Sequence, residues 1–292
     1  DTSAAAPLSM AMDKQPQQEE EIEHRNLLSL LNKITPTNFD RHCDLYLSRT
    51  RIGVSDSLLE GAIKAIAERA ADDPRYTPMF ADVCVRFANV PSASPGIAGD
   101  DDEGRLARRF GEALMSRCRA VLLERDGRDF GAIANRTALD KDAVWREMIL
   151  RRRYVGHARL LGELFLRDAI NAAGVHGFLG SLLAGATSDA SSVDEAKLEA
   201  YVVLLETCGS KLEKQERWME WDNSFSGAKS HVGVIRMVLR EQDKYHLSKR
   251  IKFILLDALE AKDNNWELRQ TRIIATTLAQ IRKEARKVRP IG

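Results

Sequence analysis

Histidine is the side chain best suited to move protons near neutral pH or to hold a transition metal, and this chain has six of them. His24, His42, His157, His176, His231 and His246 are scattered along 292 residues. There is no H-E-x-x-H pair to set two imidazoles on one helical face around zinc. His42 and Cys43 are neighbours, but adjacent residues of a helix point in different directions, so a surface histidine beside a buried thiol is the plainer reading than a dyad. Gly227-Ala228-Lys229-Ser230 has the outline of a phosphate loop, yet it lacks a glycine directly before the lysine and no strand leads into it. Gly174, Gly177 and Gly180 recur every three residues in a helical context, which builds no dinucleotide site. Cys43, Cys84, Cys118 and Cys208 are far apart without a C-x-x-C pair and read as buried thiols of a reducing compartment. The chain is expected to be no enzyme and to carry no metal or cofactor.

Charge offers a different chemistry. Formal net charge is only +1, but the first thirty residues hold Asp1, Asp13, Glu19, Glu20, Glu21 and Glu23 against Lys14 and Arg25. The C-terminal end is basic, with Arg269, Arg272, Arg282, Lys283, Arg286, Lys287 and Arg289. Two further clusters, Arg151-Arg152-Arg153 and Lys249, Arg250 and Lys252, could track a phosphate backbone or could be solvated helix faces. No aromatic interleaving is evident in them, so RNA binding through these residues is expected to be mainly electrostatic, salt-sensitive and weakly sequence-specific.

Positioning these residues falls to helices. With 44% hydrophobic and 30% charged residues, 18 Gly and 8 Pro, the chain has enough apolar surface for a large core. No apolar run approaches the roughly twenty residues that span a bilayer. The chain does not begin with Met and reads as a fragment; the expected compartment is the cytoplasm. Residues 1–20 read as a polar, disordered lead-in, and 21–292 as one helical domain ending in a basic helix near Thr276–Lys287. Leu27, Leu28, Leu30, Leu31 and Ile34 form an apolar helical stripe over about Glu21–Asn32. Pro36 stops that helix and opens a second, about Pro36–Arg49, with Thr35 as its N-cap. The corner between them exposes Asn32, Lys33, Thr35 and Thr37, either as a solvated turn or as an edge for a partner. A helix from Leu58 stops at Asp72-Asp73-Pro74, and another covers Tyr76–Ala88. A helical zone over Lys141–Ala173 is expected to break near Arg153–Gly156. Val193–Cys208 is expected to end at a Gly209 C-cap, with further helices near Lys211–Ser224, Ala228–Glu241 and Leu247–Ala261. Helices with one apolar stripe each, at about forty residues per pair, imply an all-α solenoid crescent of about five HEAT-type hairpins.

Six segments in order resemble one family. Leu30–Asp40 (LLNKITPTNFD, from Leu30) resembles the opening of the middle domain of eukaryotic translation initiation factor 4G. Ser116–Glu124 (SRCRAVLLE), Arg151–Leu166 (RRRYVGHARLLGELFL), Leu198–Leu212 (LEAYVVLLETCGSKL), Ser248–Arg269 (SKRIKFILLDALEAKDNNWELR) and Thr277–Ala285 (TLAQIRKEA) are similar to its later segments. The resemblance implies a HEAT-repeat scaffold that binds the DEAD-box helicase initiation factor 4A, grips its two RecA-like domains from the two ends, and binds RNA. It does no chemistry and acts by biasing a two-domain equilibrium.

Carried onto this chain, the resemblance places the helicase's C-terminal domain on the corners Asn32, Lys33, Thr35, Pro36 and Asp73, Pro74, Tyr76. The two corners are expected to lie side by side, with Lys33 and Asp73 supplying charge complementarity. The N-terminal domain is placed on Asn264, Asn265, Trp266 and Arg269, where Trp266 could equally be a packing staple. His157 departs from the family's usual Asn, and Ala158-Arg159-Leu160 from its Ile-Lys-Phe, which bears on the choice of helicase paralogue; a middle domain of a splicing, decay or poly(A)-binding-protein-interacting factor is the alternative. The cap-binding-protein motif, Tyr with Leu five residues on, is absent: those positions hold Arg51, Ala81, Arg159, Glu206 and Arg250. A cap-binding protein or further initiation factors would be engaged through regions outside the core.

Overall fold

Burying the Leu27–Ile34 stripe is the first task the chain must solve, and it solves it with a helical hairpin. In the computed structural model, which describes residues 14–50, 56–89, 103–123, 141–186, 193–216 and 230–267, all regular structure among the described residues is helical. The elements are α1 (Lys14–Lys33), α2 (Phe39–Leu47), α3 (Asp56–Asp72), a 3-10 turn (Pro74–Tyr76), α4 (Thr77–Ala88), α5 (Glu103–Leu123), α6 (Lys141–Leu166), α7 (Ala172–Ala186), α8 (Glu195–Glu216), α9 (His231–Arg240) and α10 (Lys249–Asp263). Consecutive helices pack on each other, α1 on α2, α6 on α7, α7 on α8 and α9 on α10. The all-α expectation holds. Residues 1–13, the 125–140 insert, Arg269 and the basic C-terminal helix lie outside the described residues.

Two compact units divide the chain. The first holds α1, α2, α3 through Ile66, the end of α4 from Arg86, and α5 through Leu114. Here Leu27, Leu30, Leu31 and Ile34 are all buried, each worth about 1.5–3 kcal/mol over an exposed position. Tyr46 of α2 stacks on Phe87 at 5.3 Å between ring centroids. Arg86 donates to Asp40 at 2.8 Å and also to Asp44, one turn apart on α2.

The second unit holds the remainder of α3 to α5 and all of α6 to α10. Its central helix is α8, which packs against α6, α7 and α10. Tyr201, Leu204, Leu205, Cys208 and Leu212 of α8 are buried. The four cysteines are free and buried, as expected; burial pushes the Cys118 thiol up to about 12.

The glycines correct two sequence expectations. Gly156 does not break α6, which runs without interruption to Leu166. It lets α6 press onto α3: a Cβ at 156 would stand 2.3 Å from the Ala71 Cα. Gly209 caps nothing, because α8 continues to Glu216; a Cβ there would meet the Trp266 ring at 2.6 Å. The expected helix at Lys211–Ser224 is therefore the end of α8, up to Glu216.

Capping is done by other residues. Asp168, His246 and Asn265 have positive φ values of 59°, 48° and 55°. Each sits at the penultimate position of a Schellman closure, in which the following residue's N–H returns five residues: Ala169 to Leu164, Leu247 to Gln242 and Trp266 to Ala261. Lys211 adds a cationic cap to α6, its Nζ donating to the carbonyls of Phe165 and Leu166 at 2.9 and 3.1 Å and to Asp168 at 2.6 Å. At helix starts, Ser248 and Ser230 cap α10 and α9, accepting from Ile251 N–H and Gly233 N–H, one and two residues later than the helix starts read from the sequence.

A buried polar chain crosses this unit. The Tyr201 hydroxyl lies 2.8 Å from Nδ1 of His231, whose Nε2 lies 3.0 Å from Nδ1 of His176. Burial, then the neighbouring His176, holds His231 far below its ordinary value, down to about 2.

Two outcomes follow from this packing. Gly156→Ala is expected to lower unfolding free energy by about 2 kcal/mol through overpacking, whereas Gly61→Ala in α3, with nothing within 4 Å of its Cβ, should raise it by up to about 1 kcal/mol; urea denaturation separates them. His231 is neutral in the fold but takes a proton below about pH 6.5 when unfolded. Its contribution is complete above that pH and is lost as pH falls toward its folded value. Between pH 6.5 and 5 the loss is about 2 kcal/mol, and His231→Phe should flatten that part of the stability profile.

Candidate functional site

The corner after α1 is held by one side chain. Asn38 Oδ1 accepts from Thr35 N–H at 2.7 Å, and its Nδ2 donates to the Lys33 carbonyl at 3.0 Å. The Asn38 N–H returns to Thr35 O at 3.1 Å, closing a turn with Pro36 at its favoured second position. Helix α2 thus starts at Phe39 with Asn38 before it, and not at Pro36 with a Thr35 cap. Thr35 Oγ1 lies 2.9 Å from Thr37 Oγ1 instead. Asn32 and Lys33 are exposed, and Thr35 and Pro36 half-buried.

The second corner belongs to the other unit. Asp73 precedes the 3-10 turn, with Pro74 in its first position. Its carboxylate is gripped by Arg75 through two bonds of 3.0 and 3.1 Å. That hydrogen-bonded guanidinium holds the Asp73 carboxyl below the usual carboxylate range. Asp73 therefore presents an ion pair with Arg75, a partner the sequence reading missed. Tyr76 leans on Phe80 at 6.3 Å, and the Arg75 guanidinium sits 5.9 Å from the Tyr76 ring centre.

The third group closes α10. Asn264 is its C-cap and Asn265 carries the left-handed turn. Trp266 follows with φ 66°, costly for a bulky side chain, and lays its ring on Gly209. The packing alternative accounts for most of that ring. One turn into α10 lies a residue the sequence reading did not single out: Phe253 is 65% exposed, with Leu256 at 49% on the same face.

The two basic clusters meet at Glu199 of α8. Arg151 Nε lies 2.5 Å from one carboxylate oxygen and Arg250 Nη2 2.5 Å from the other. Burial pushes the Glu199 carboxyl up while Arg151 opposes that shift. Glu195, one turn earlier, accepts from Ser248 N–H and Oγ–H at 2.6 and 2.8 Å, so α8 anchors the start of α10 twice. Arg152 is committed elsewhere: it donates to the Ala71 carbonyl at 3.3 Å and to that of Asp72, capping the C-terminus of α3. Arg153 and Lys249 are exposed and Lys252 half-buried. His157, one turn past Arg153, is buried and its Nδ1 lies 2.7 Å from the Arg153 carbonyl.

No group of three or more His, Cys, Asp or Glu side chains among the described residues could hold a metal ion, and no described helix is long and apolar enough to cross a membrane. The arrangement offers surfaces: a braced polar corner, an exposed apolar pair on α10, Phe253 and Leu256, and a tier of arginines.

Comparison with known proteins gives this arrangement a family. An Arabidopsis thaliana protein, eukaryotic translation initiation factor 4G, is 26% identical over 257 residues, which is 86% of this chain and 14% of that protein. Human eukaryotic translation initiation factor 4 gamma 2 is 25% identical over 267 residues, 90% of this chain and 28% of that protein. The chain thus spans a minor part of the relatives it matches. The solved MIF4G domain of a Trypanosoma cruzi translation initiation factor is 23% identical with a TM-score of 0.48, covering 84% of this chain and 96% of that one. The MIF4G domain model matches residues 24–265, and the chain belongs to the MIF4G domain family.

Proposed function

We propose that this chain is a cytoplasmic scaffold of translation initiation that binds and activates the DEAD-box helicase initiation factor 4A. It does so by holding the helicase's two RecA-like domains, with accessory, non-specific RNA binding. Family membership and the names its relatives carry support the initiation role. The observation that carries the helicase reading is the Asn32–Pro36 corner, whose exposed Asn32 and Lys33 are held in place by Asn38 before any partner arrives. The scaffold performs no chemistry; it raises helicase turnover by favouring one arrangement of the two domains.

The corners Asn32, Lys33, Thr35, Pro36 and Asp73, Pro74, Tyr76 face the C-terminal RecA-like domain in this reading. The exposed face of α10 and its C-terminal cap meet the N-terminal one. Because Trp266 is largely engaged with Gly209, the second contact centres on Phe253, with Leu256 beside it and Asn264 and Asn265 at the rim. An exposed aromatic with an apolar neighbour is the composition of an interface hot spot. The basic tier, Arg151, Arg153, Lys249, Arg250 and Lys252, serves RNA, with Arg152 held back by its helix-capping role.

The decisive experiment is ATPase stimulation of purified helicases, with and without RNA. Stimulation of the translational helicase supports the proposal; stimulation only of a splicing or decay paralogue moves the chain to another MIF4G factor. Lys33→Glu is expected to weaken helicase binding about tenfold, more at low salt. Phe253→Ala should weaken it by about tenfold or more while leaving the melting temperature unchanged, since the ring is mostly in solvent. Unchanged stimulation by the Phe253→Ala chain would place the second contact elsewhere.

A further inference from the structure

Tryptophan is seldom left in water, because its ring carries the largest apolar surface of any side chain. Trp145, near the start of α6, is nonetheless 60% exposed, and Met148, three residues on, is 50% exposed. Arg152 follows Met148 by four residues, so the three lie on one stripe of the helix. Arg151 and Arg153 flank that stripe. The arginine tier stands about 9–12 Å along the axis from Trp145, at 1.5 Å per residue.

The tier is not withdrawn from solvent by its own acid. Arg151 and Arg250 share the carboxylate of Glu199, yet their side chains stay 36% and 43% exposed. Arg153 and Lys249 are exposed as well. The sequence reading found no aromatic interleaved with these cations; on α6 the helix itself supplies the interleaving. An exposed π-face one to two turns from several half-free guanidiniums matches a ligand with anionic groups and accessible aromatic faces at a short repeat. Single-stranded RNA has both, whereas a duplex hides its bases and an acidic peptide lacks regular ring faces.

We infer that the Trp145–Met148 face of α6 and the adjoining Arg151, Arg153 and Arg250 form one binding surface for single-stranded RNA, in which Trp145 stacks on a base and the arginines contact the phosphates. This rests on the RNA-binding half of the proposed function and adds to it a component that salt does not screen.

The test uses the full chain and an oligouridylate of about twelve nucleotides, with affinity measured by fluorescence anisotropy across a range of salt concentrations. Trp145→Ala is expected to weaken binding about tenfold at every salt concentration without changing the slope of log K against log salt, and Trp145→Phe to retain most of the affinity. Arg153→Gln should instead reduce that slope by about 0.7. If the parent chain fails to bind the oligonucleotide even at low salt, the RNA-binding reading itself falls. If the parent binds and Arg153→Gln acts as expected while Trp145→Ala binds like the parent, RNA binding survives and the stacking surface is overturned. A Trp145→Ala chain that keeps its RNA affinity and loses helicase affinity also overturns it, making the face a protein-docking surface.

Discussion

A carboxylate shared by two guanidiniums governs the second unit of this molecule. Glu199 is nearly buried on the central helix, and a buried charge is tolerable only when paired. Arg151 arrives from α6 and Arg250 from α10, so the pairing fixes both helices against α8, and Glu195 one turn away repeats the anchoring through the start of α10. The same economy governs other cations. Arg152 and Lys211 spend their donors on carbonyls at the ends of α3 and α6, where the helix dipole favours positive charge. A run of arginines in this chain is therefore first a structural device. What reaches solvent is the remainder: the exposed flanks of Arg151 and Arg250, together with Arg153 and Lys249.

How much of this could be read from residues alone varied with the kind of signal. The Leu27, Leu30, Leu31 and Ile34 stripe was legible because helical burial follows a fixed period, whereas the serine caps of α9 and α10 were passed over because periodicity marks a helix's apolar face and not its first residue. Glycine was ambiguous. Gly156 and Gly209 each admit a breaker reading and a close-approach reading, and only the position of Ala71 and Trp266 selects the second. Gly209 was misjudged as a helix end for the complementary reason, since in this fold the left-handed turns fall on residues such as Asp168, His246 and Asn265, which carry no glycine signal. Thr35 does not cap α2 because that helix starts only at Phe39; Asn38 precedes it without a side-chain cap bond and turns its amide, which accepts and donates at once, back onto the corner. Trp145 and Phe253 were the largest omission: periodicity treats every apolar residue as a core candidate and cannot mark which ones the fold leaves outside.

The histidines illustrate why a scaffold can look chemically furnished. His157, His176 and His231 are each drawn into hydrogen bonds with backbone or with one another, and burial keeps them neutral. A protonated imidazole would be expensive in any of these places. Their Nδ1 atoms are held inside the fold, by the Arg153 carbonyl, by His231 and by Tyr201, and the exposed surfaces described above are built from other residues.

The Asn38 brace has a kinetic meaning. A loop that must order itself on contact surrenders backbone freedom at the moment of binding, which slows productive encounters and weakens the complex. In the 33–38 corner that freedom is already spent, because the Asn38 amide reaches back across Pro36 and clamps Lys33 and Thr35. A partner meeting this corner meets a finished shape, so the rate at which a complex forms is set by collision and charge, while its lifetime is left to be tuned by the side chains at the edge.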